Sequence, residues 1–110
     1  MFYQLQDPDF IQLQSLNLSY NDLGPEAVAM LSPLMASIVE LNLAGTKLNN
    51  QSMNDIQDIF RTTEMRLQKL DLHNNSIGAE GFSKLMFSLK TNNSVKYLDM
   101  SKNPVSNDMH

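Results

Sequence analysis

The side chains of this chain best suited to chemistry are His73, Asp71 and Asp99. In an extended segment residues 71 and 73 point to the same face, which would set a carboxylate beside an imidazole, the pairing used for proton transfer or for holding a metal ion. A single histidine with two carboxylates far apart in sequence lacks the converging third and fourth ligands that a transition metal requires. No metal and no cofactor are therefore expected. His110 stands at the terminus. The sequence contains no glycine-rich phosphate loop, no nucleophile elbow and no paired-histidine helix motif. With no cysteine among its 110 residues, disulfides and thiolate zinc sites are excluded. The chain is not expected to be an enzyme.

The elements that must position these residues follow from a pattern that occurs four times. It reads Leu13, Leu16, Leu18, Asn21, Leu23; Ile38, Leu41, Leu43, Thr46, Leu48; Leu67, Leu70, Leu72, Asn75, Ile77; and Val95, Leu98, Met100, Asn103, Val105. The spacings between first positions are 25, 29 and 28 residues, the period of long leucine-rich repeats. Each unit opens with strand-like alternation, as in Leu70-Asp71-Leu72, where the leucines face one way and the polar residue the other. Asn21, Thr46, Asn75 and Asn103 then fall where the strand turns away. An amide there can donate to and accept from backbone groups, so stacked copies predict a ladder between units, with Thr46 its weak rung.

The rest of each unit reads as a helix. Gly24-Pro25-Glu26-Ala27 suits a first helical turn, followed by Val28, Leu31, Leu34 and Met35 at helical spacing, with Pro33 expected to end or kink that helix near its last turn. Unit two carries Met53, Ile56, Ile59 and Phe60, and unit three Phe82, Leu85 and Leu89. Methionines such as Met30, Met35, Met53, Met86 and Met100 are expected to fill the core. Alternating strands and helices with all strands parallel give an α/β class fold: a right-handed solenoid or horseshoe arc, parallel strands concave, helices convex, of about three and a half repeats. The units are 13–37, 38–66, 67–94 and a truncated 95–110, with 1–12 as a preceding half-repeat or N-terminal extension containing Phe2, Tyr3, Leu5, Phe10 and Ile11.

The run Leu67-Gln68-Lys69-Leu70-Asp71-Leu72-His73-Asn74-Asn75-Ser76-Ile77-Gly78-Ala79-Glu80-Gly81-Phe82 closely resembles the consensus of the ribonuclease-inhibitor-like subfamily of leucine-rich repeats, and Leu13 to Ala27 resembles it nearly as well. The resemblance covers about residues 13–110. Unit two departs from it, with Thr46 in place of asparagine and Asn49, Asn50 and Gln51 in place of the glycine-bearing turn. The subfamily includes ribonuclease inhibitor, the Ran GTPase-activating protein, sensor portions of innate immune receptors and actin-capping, tropomodulin-like proteins. The resemblance thus implies a non-catalytic interaction module. It also implies two alternatives: a GTPase-activating component, for which no residue here can be matched, and an actin-binding segment.

The alternation predicts three outward columns on the concave face: Ser15, Glu40, Lys69, Tyr97; Asn17, Asn42, Asp71, Asp99; and Ser19, Ala44, His73, Ser101. A protein partner is expected to bind Glu40, Lys69, Asp71, His73, Tyr97 and Asp99, with the amphipathic Tyr97 ring as anchor. The net charge of −4 disfavours a nucleic-acid partner. Residues 1–60 hold seven acids against Lys47 alone, whereas residues 61–110 hold seven basic residues against five acids, so the stack is electrically polar along its length. No stretch suits a signal peptide or a membrane span, so no membrane association and a cytoplasmic location are expected. Aligned on unit three, the chain reaches His110 where a fourth helix would begin. This predicts a fragment of a longer protein, with uncapped ends prone to self-association.

Overall fold

The computed structural model describes residues 13–104. The half-repeat assigned to 1–12 and the end of the fourth unit, including Val105 and His110, lie outside the described residues. Four strands, β1 (Ser15–Asn17), β2 (Glu40–Asn42), β3 (Lys69–Asp71) and β4 (Tyr97–Asp99), form one parallel sheet in chain order. Three helices alternate with them: α1 (Ala27–Met30), α2 (Asn50–Thr62) and α3 (Ala79–Asn92). The sheet is in strict register, with Ser15, Glu40, Lys69 and Tyr97 paired across it, then Leu16, Leu41, Leu70 and Leu98, then Asn17, Asn42, Asp71 and Asp99. This is the α/β leucine-rich solenoid that the alternation predicts, with strands on one side and helices on the other.

The core lies between those two layers. In the two middle units Ile38, Leu41, Leu43, Leu48, Leu67, Leu70, Leu72 and Ile77 are all buried. Each such side chain contributes about 1.5–3 kcal/mol on leaving water, so the middle of the stack holds most of the driving force. The corresponding Leu16, Leu18, Leu98 and Met100 in the outer units are only partly buried. The methionines divide. Met35, Met53 and Met65 are buried, but Met30 and Met86 are exposed, contrary to their expected place in the core.

Unit one departs most from expectation, because α1 is a single turn that stops at Met30, followed by a 3-10 turn over Ser32–Leu34. Pro33 has no N–H to give to a carbonyl four residues back. The chain tightens instead to three-residue bonds, Leu34 N–H to Leu31 O at 2.8 Å and Met35 N–H to Ser32 O at 3.2 Å. Val28 and Met35 still reach the core.

Unit two, which lacks the glycine-bearing turn, is held by side chains at the start of its helix. Asn49 caps α2 by accepting from the backbone of Gln51 and Ser52, while the Ser52 hydroxyl accepts from Asn49 N–H at 3.1 Å. That reciprocal arrangement satisfies donors that the helix itself cannot. The same Ser52 hydroxyl donates to Pro25 O in unit one at 2.8 Å. In the other direction, Asn50 Oδ1 accepts from Gly78 N–H at 2.8 Å and Gly81 N–H at 3.0 Å, capping α3 from the neighbouring unit. A Cβ on Gly81 would collide with that oxygen, which is why glycine stands there.

Candidate functional site

The concave face is built from residues that alternate with the core leucines, so the register of the sheet sets its rows. Glu40, Lys69 and Tyr97 lie side by side on β2, β3 and β4, all exposed, with 69% of Tyr97 open to solvent. Asp71 and Asp99 are adjacent in the second row, and His73 follows Asp71 in the third. Ala44, expected to face outward beside His73, is fully buried.

The second row also has a structural task that the alternation does not reveal. Asn17 Oδ1 accepts from Ser19 N–H, Asn42 Oδ1 from Ala44 N–H, Asp71 Oδ1 from His73 N–H and Asp99 Oδ1 from Ser101 N–H, all at 2.9–3.0 Å. Each side chain thus folds back onto the backbone two residues ahead and fixes the bend that ends its strand. Asparagine or aspartate at the same place in all four units is the sequence signal for this turn. One oxygen of Asp71 and one of Asp99 are therefore engaged inside the protein.

The ladder residues lie at the rim where the strands turn away. Asn75 Oδ1 accepts from Thr46 N–H and Leu48 N–H in the preceding unit, both at 3.0 Å, while its Nδ2 donates to Leu43 O and Leu72 O. Asn103 accepts from Ile77 N–H at 3.0 Å and donates to Leu72 O at 2.8 Å. Asn21 donates within its own unit to Leu18 O. Thr46, fully buried, donates from Oγ1 to Leu43 O at 2.7 Å, also within its own unit, so its side chain makes no bridge like that of Asn75.

Beside His73 stands Tyr20, a residue that the repeat pattern missed. It occupies the position filled by Gly45, Asn74 and Lys102 in the other units, and all four take a left-handed backbone, with φ of 57°, 62°, 60° and 58°. Its ring lies against Gly45, where a Cβ would overlap it. From there its hydroxyl reaches His73 Nε2 at 2.9 Å, two units away, with the rings edge to face at 6.0 Å. An aromatic in a glycine-like position, followed one unit later by the small pair Ala44-Gly45, is the signal that would have found it.

His73 is consequently held on both sides. Its Nδ1 is 2.6 Å from Asp71 Oδ1 and 3.8 Å from Asp99 Oδ2. The two carboxylates that look separate in sequence are thus brought to one imidazole by strand pairing. Hydrogen bonds from the Ser101 hydroxyl and then its backbone N–H hold the Asp99 carboxyl below its usual range, aided by nearby His73 and opposed by slight burial. Elsewhere, a 680 Å³ hollow on the helix side lies between the ends of α2 and α3, beside Phe60 and the exposed Phe87. Among the described residues no helix is long and apolar enough to cross a membrane.

A parallel sheet stacked unit by unit against short helices, with an amide rung between units, defines an α/β repeat solenoid. The chain belongs to the leucine-rich-repeat family, matching the family described as Leucine Rich repeat at residues 12–32, 66–86 and 91–108. The interval between the first two matches contains most of unit two, whose Thr46 and Asn49-Asn50-Gln51 depart from the consensus. Among curated proteins it is 31% identical over 99 residues to the NACHT, LRR and PYD domains-containing protein 5 of Homo sapiens, covering 87% of this chain and 8% of that protein. It is 28% identical over 88 residues to the NLR family member X1 of Rattus norvegicus, covering 80% of this chain and 9% of that protein. The chain thus spans less than a tenth of the length of either relative.

The fold is shared with solved structures, of which two illustrate the likeness. One is described as Leiomodin-1 Actin-Binding Site 2, with a TM-score of 0.74 at 18% identity over 89% of this chain and 57% of that one. The other is the tropomodulin C-terminal domain of Caenorhabditis elegans, with a TM-score of 0.68 at 15% identity over 90% and 61%. At these identities the likeness is one of fold.

Proposed function

We propose that this chain is a non-catalytic protein-protein interaction module, part of a longer leucine-rich-repeat protein, that binds a protein partner through its concave strand face. The observation that carries the reading is the exposed row of Glu40, Lys69 and Tyr97 on three adjacent strands. Strands stacked about 4.8 Å apart present such a row to one partner at once, and a large exposed tyrosine beside opposite charges is the composition of an interface anchor. The longer-protein reading is supported by the small share of each curated relative that the chain covers.

The test is capture of partners from cytosol on the immobilised chain, repeated with Tyr97→Ala and Lys69→Ala. Both side chains point away from the core, so retention should fall at least about tenfold for a central anchor while the melting temperature stays constant. Retention equal to that of the unaltered chain would remove the concave face from the reading.

Actin is the first defined partner to try, because the neighbour with the TM-score of 0.74 is described as an actin-binding site. Co-sedimentation with actin filaments and gel filtration with monomeric actin give the two arms. Association lost on Tyr97→Ala would assign actin to the concave face, and no association in either arm would discard actin.

A further inference from the structure

We propose that Asp71, His73 and Asp99 form a binding site for a divalent cation of the zinc class on the concave face. Sequence spacing argues against convergence of these three, but β3 and β4 pair Asp71 directly with Asp99. One donor atom from each of the three residues lies within 4.8 Å of the other two. An imidazole nitrogen with two carboxylates is a donor set for zinc, copper(II) or nickel, whereas calcium and magnesium take oxygen donors. Three protein donors leave a fourth position open to water or to a side chain from outside.

Three features preorganise the set. Asp71 and Asp99 are pinned through Oδ1 to the backbone two residues ahead, and Asp99 also accepts from the Ser101 hydroxyl at 2.7 Å. That leaves Asp99 Oδ2 as the oxygen turned toward His73 Nδ1, at 3.8 Å. The third feature comes from outside the three ligands: Tyr20, from unit one, meets His73 Nε2 at 2.9 Å. A histidine that binds a metal through one nitrogen typically donates its other ring N–H to a fixed partner, which sets both tautomer and ring orientation. With the cation on Nδ1, the ring proton resides on Nε2 and the Tyr20 oxygen accepts it. The cation takes the place of the proton shared between His73 and Asp71, whose 2.6 Å separation must open toward the roughly 3.3 Å between donors that tetrahedral zinc-ligand bonds of about 2.0 Å imply.

This inference stands apart from partner binding, since the cation needs no second protein. Zinc chloride titrated into the full chain against a chromophoric chelator, with one-to-one binding expected, is the direct test. Asp99→Asn and His73→Ala should each weaken binding by about tenfold or more, and Tyr20→Phe by up to about tenfold. The unaltered chain should also show zinc-dependent shifts of the His73 ring resonances. His110→Ala, which removes the other histidine, should leave the affinity unchanged. Asp99 is exposed, so its variant is expected to fold even if His73→Ala does not. Equal affinity in Asp99→Asn and the unaltered chain, no binding by the latter, or loss of binding in His110→Ala would overturn the proposal.

Discussion

The Tyr20 hydroxyl meets His73 Nε2 at 2.9 Å across two repeat boundaries, and Gly45 is the residue that lets it pass. Gly45 has φ of 62° and would direct a Cβ into the Tyr20 ring. Gly45→Ala should therefore destabilise by about 1–2 kcal/mol through the left-handed backbone and the displaced ring together. Tyr20→Phe keeps the ring and removes only a solvent-accessible bond, so its effect should stay below about 1 kcal/mol. Urea unfolding of both variants separates the contributions. A Gly45→Ala chain as stable as the parent would refute this account of the site.

The rim amides should be unequal in strength. Asn75→Ala leaves Thr46 N–H and Leu48 N–H without their acceptor, whereas Leu43 O keeps the bond from the Thr46 hydroxyl. At about 1–3 kcal/mol for each of these N–H groups left unsatisfied, the loss should be about 2 kcal/mol or more and be evident in a thermal melt.

At the first boundary the expected effect has the opposite sign. By repeat equivalence, Thr46→Asn would set an amide toward Leu18 O and Asn21 N–H, the counterparts of Leu43 O and Thr46 N–H around Asn75, while Leu23 N–H, the counterpart of Leu48 N–H, already donates to Asn21 O at 3.0 Å. A gain of about 1 kcal/mol is expected from the new bonds. A lower midpoint for Thr46→Asn would mean that the fully buried Thr46 site has no room for the larger side chain.

What the sequence made legible follows the period of the repeat. Leu41, Leu43, Leu70 and Leu72 have identical roles in each unit, so alternation alone set the strand register and the outward place of Glu40, Lys69 and Tyr97. The turn-forming role of Asn17, Asn42, Asp71 and Asp99 was equally periodic, but it competes with the reading of those residues as free surface groups. Illegible were the features made once. The reach of Tyr20 over Gly45 to His73 joins residues two units apart, and Asn50 caps a helix that is not its own. A one-turn α1 was hidden because Val28, Leu31, Leu34 and Met35 keep helical spacing even where Pro33 changes the backbone bonds from four residues to three.

Gly81 and Asn50 should behave as a coupled pair. Gly81→Ala pushes a methyl group into Asn50 Oδ1 and toward Met53 Cγ, and overpacking of this kind costs about 1–3 kcal/mol. Asn50→Ala relieves that clash but removes the acceptor for Gly78 and Gly81, a capping loss of about 0.5–2 kcal/mol. The double variant should consequently be less destabilised than the sum of the two single ones. Strict additivity in a denaturant-based mutant cycle would show that the two residues do not constrain each other.

Asp55 on α2 provides a pH signature on the opposite side of the molecule. Burial first, then the nearby Asp58 and Glu26 carboxylates, raise its pKa above the usual 3.8. A raised carboxyl binds its proton more tightly in the folded than in the unfolded chain, so its stabilising effect is complete below 3.8 and is lost as pH climbs through the folded value. At neutral pH the ionised group works against folding. Asp55→Asn removes that charge and should be more stable than the parent by roughly a few tenths of a kcal/mol at pH 7, because the site is only partly buried. At pH 3, where Asp55 is itself neutral, the difference should shrink toward zero. Urea midpoints at the two pH values decide the matter: a gap that is constant, or that widens in acid, would show that Asp55 carries no electrostatic strain in the folded protein.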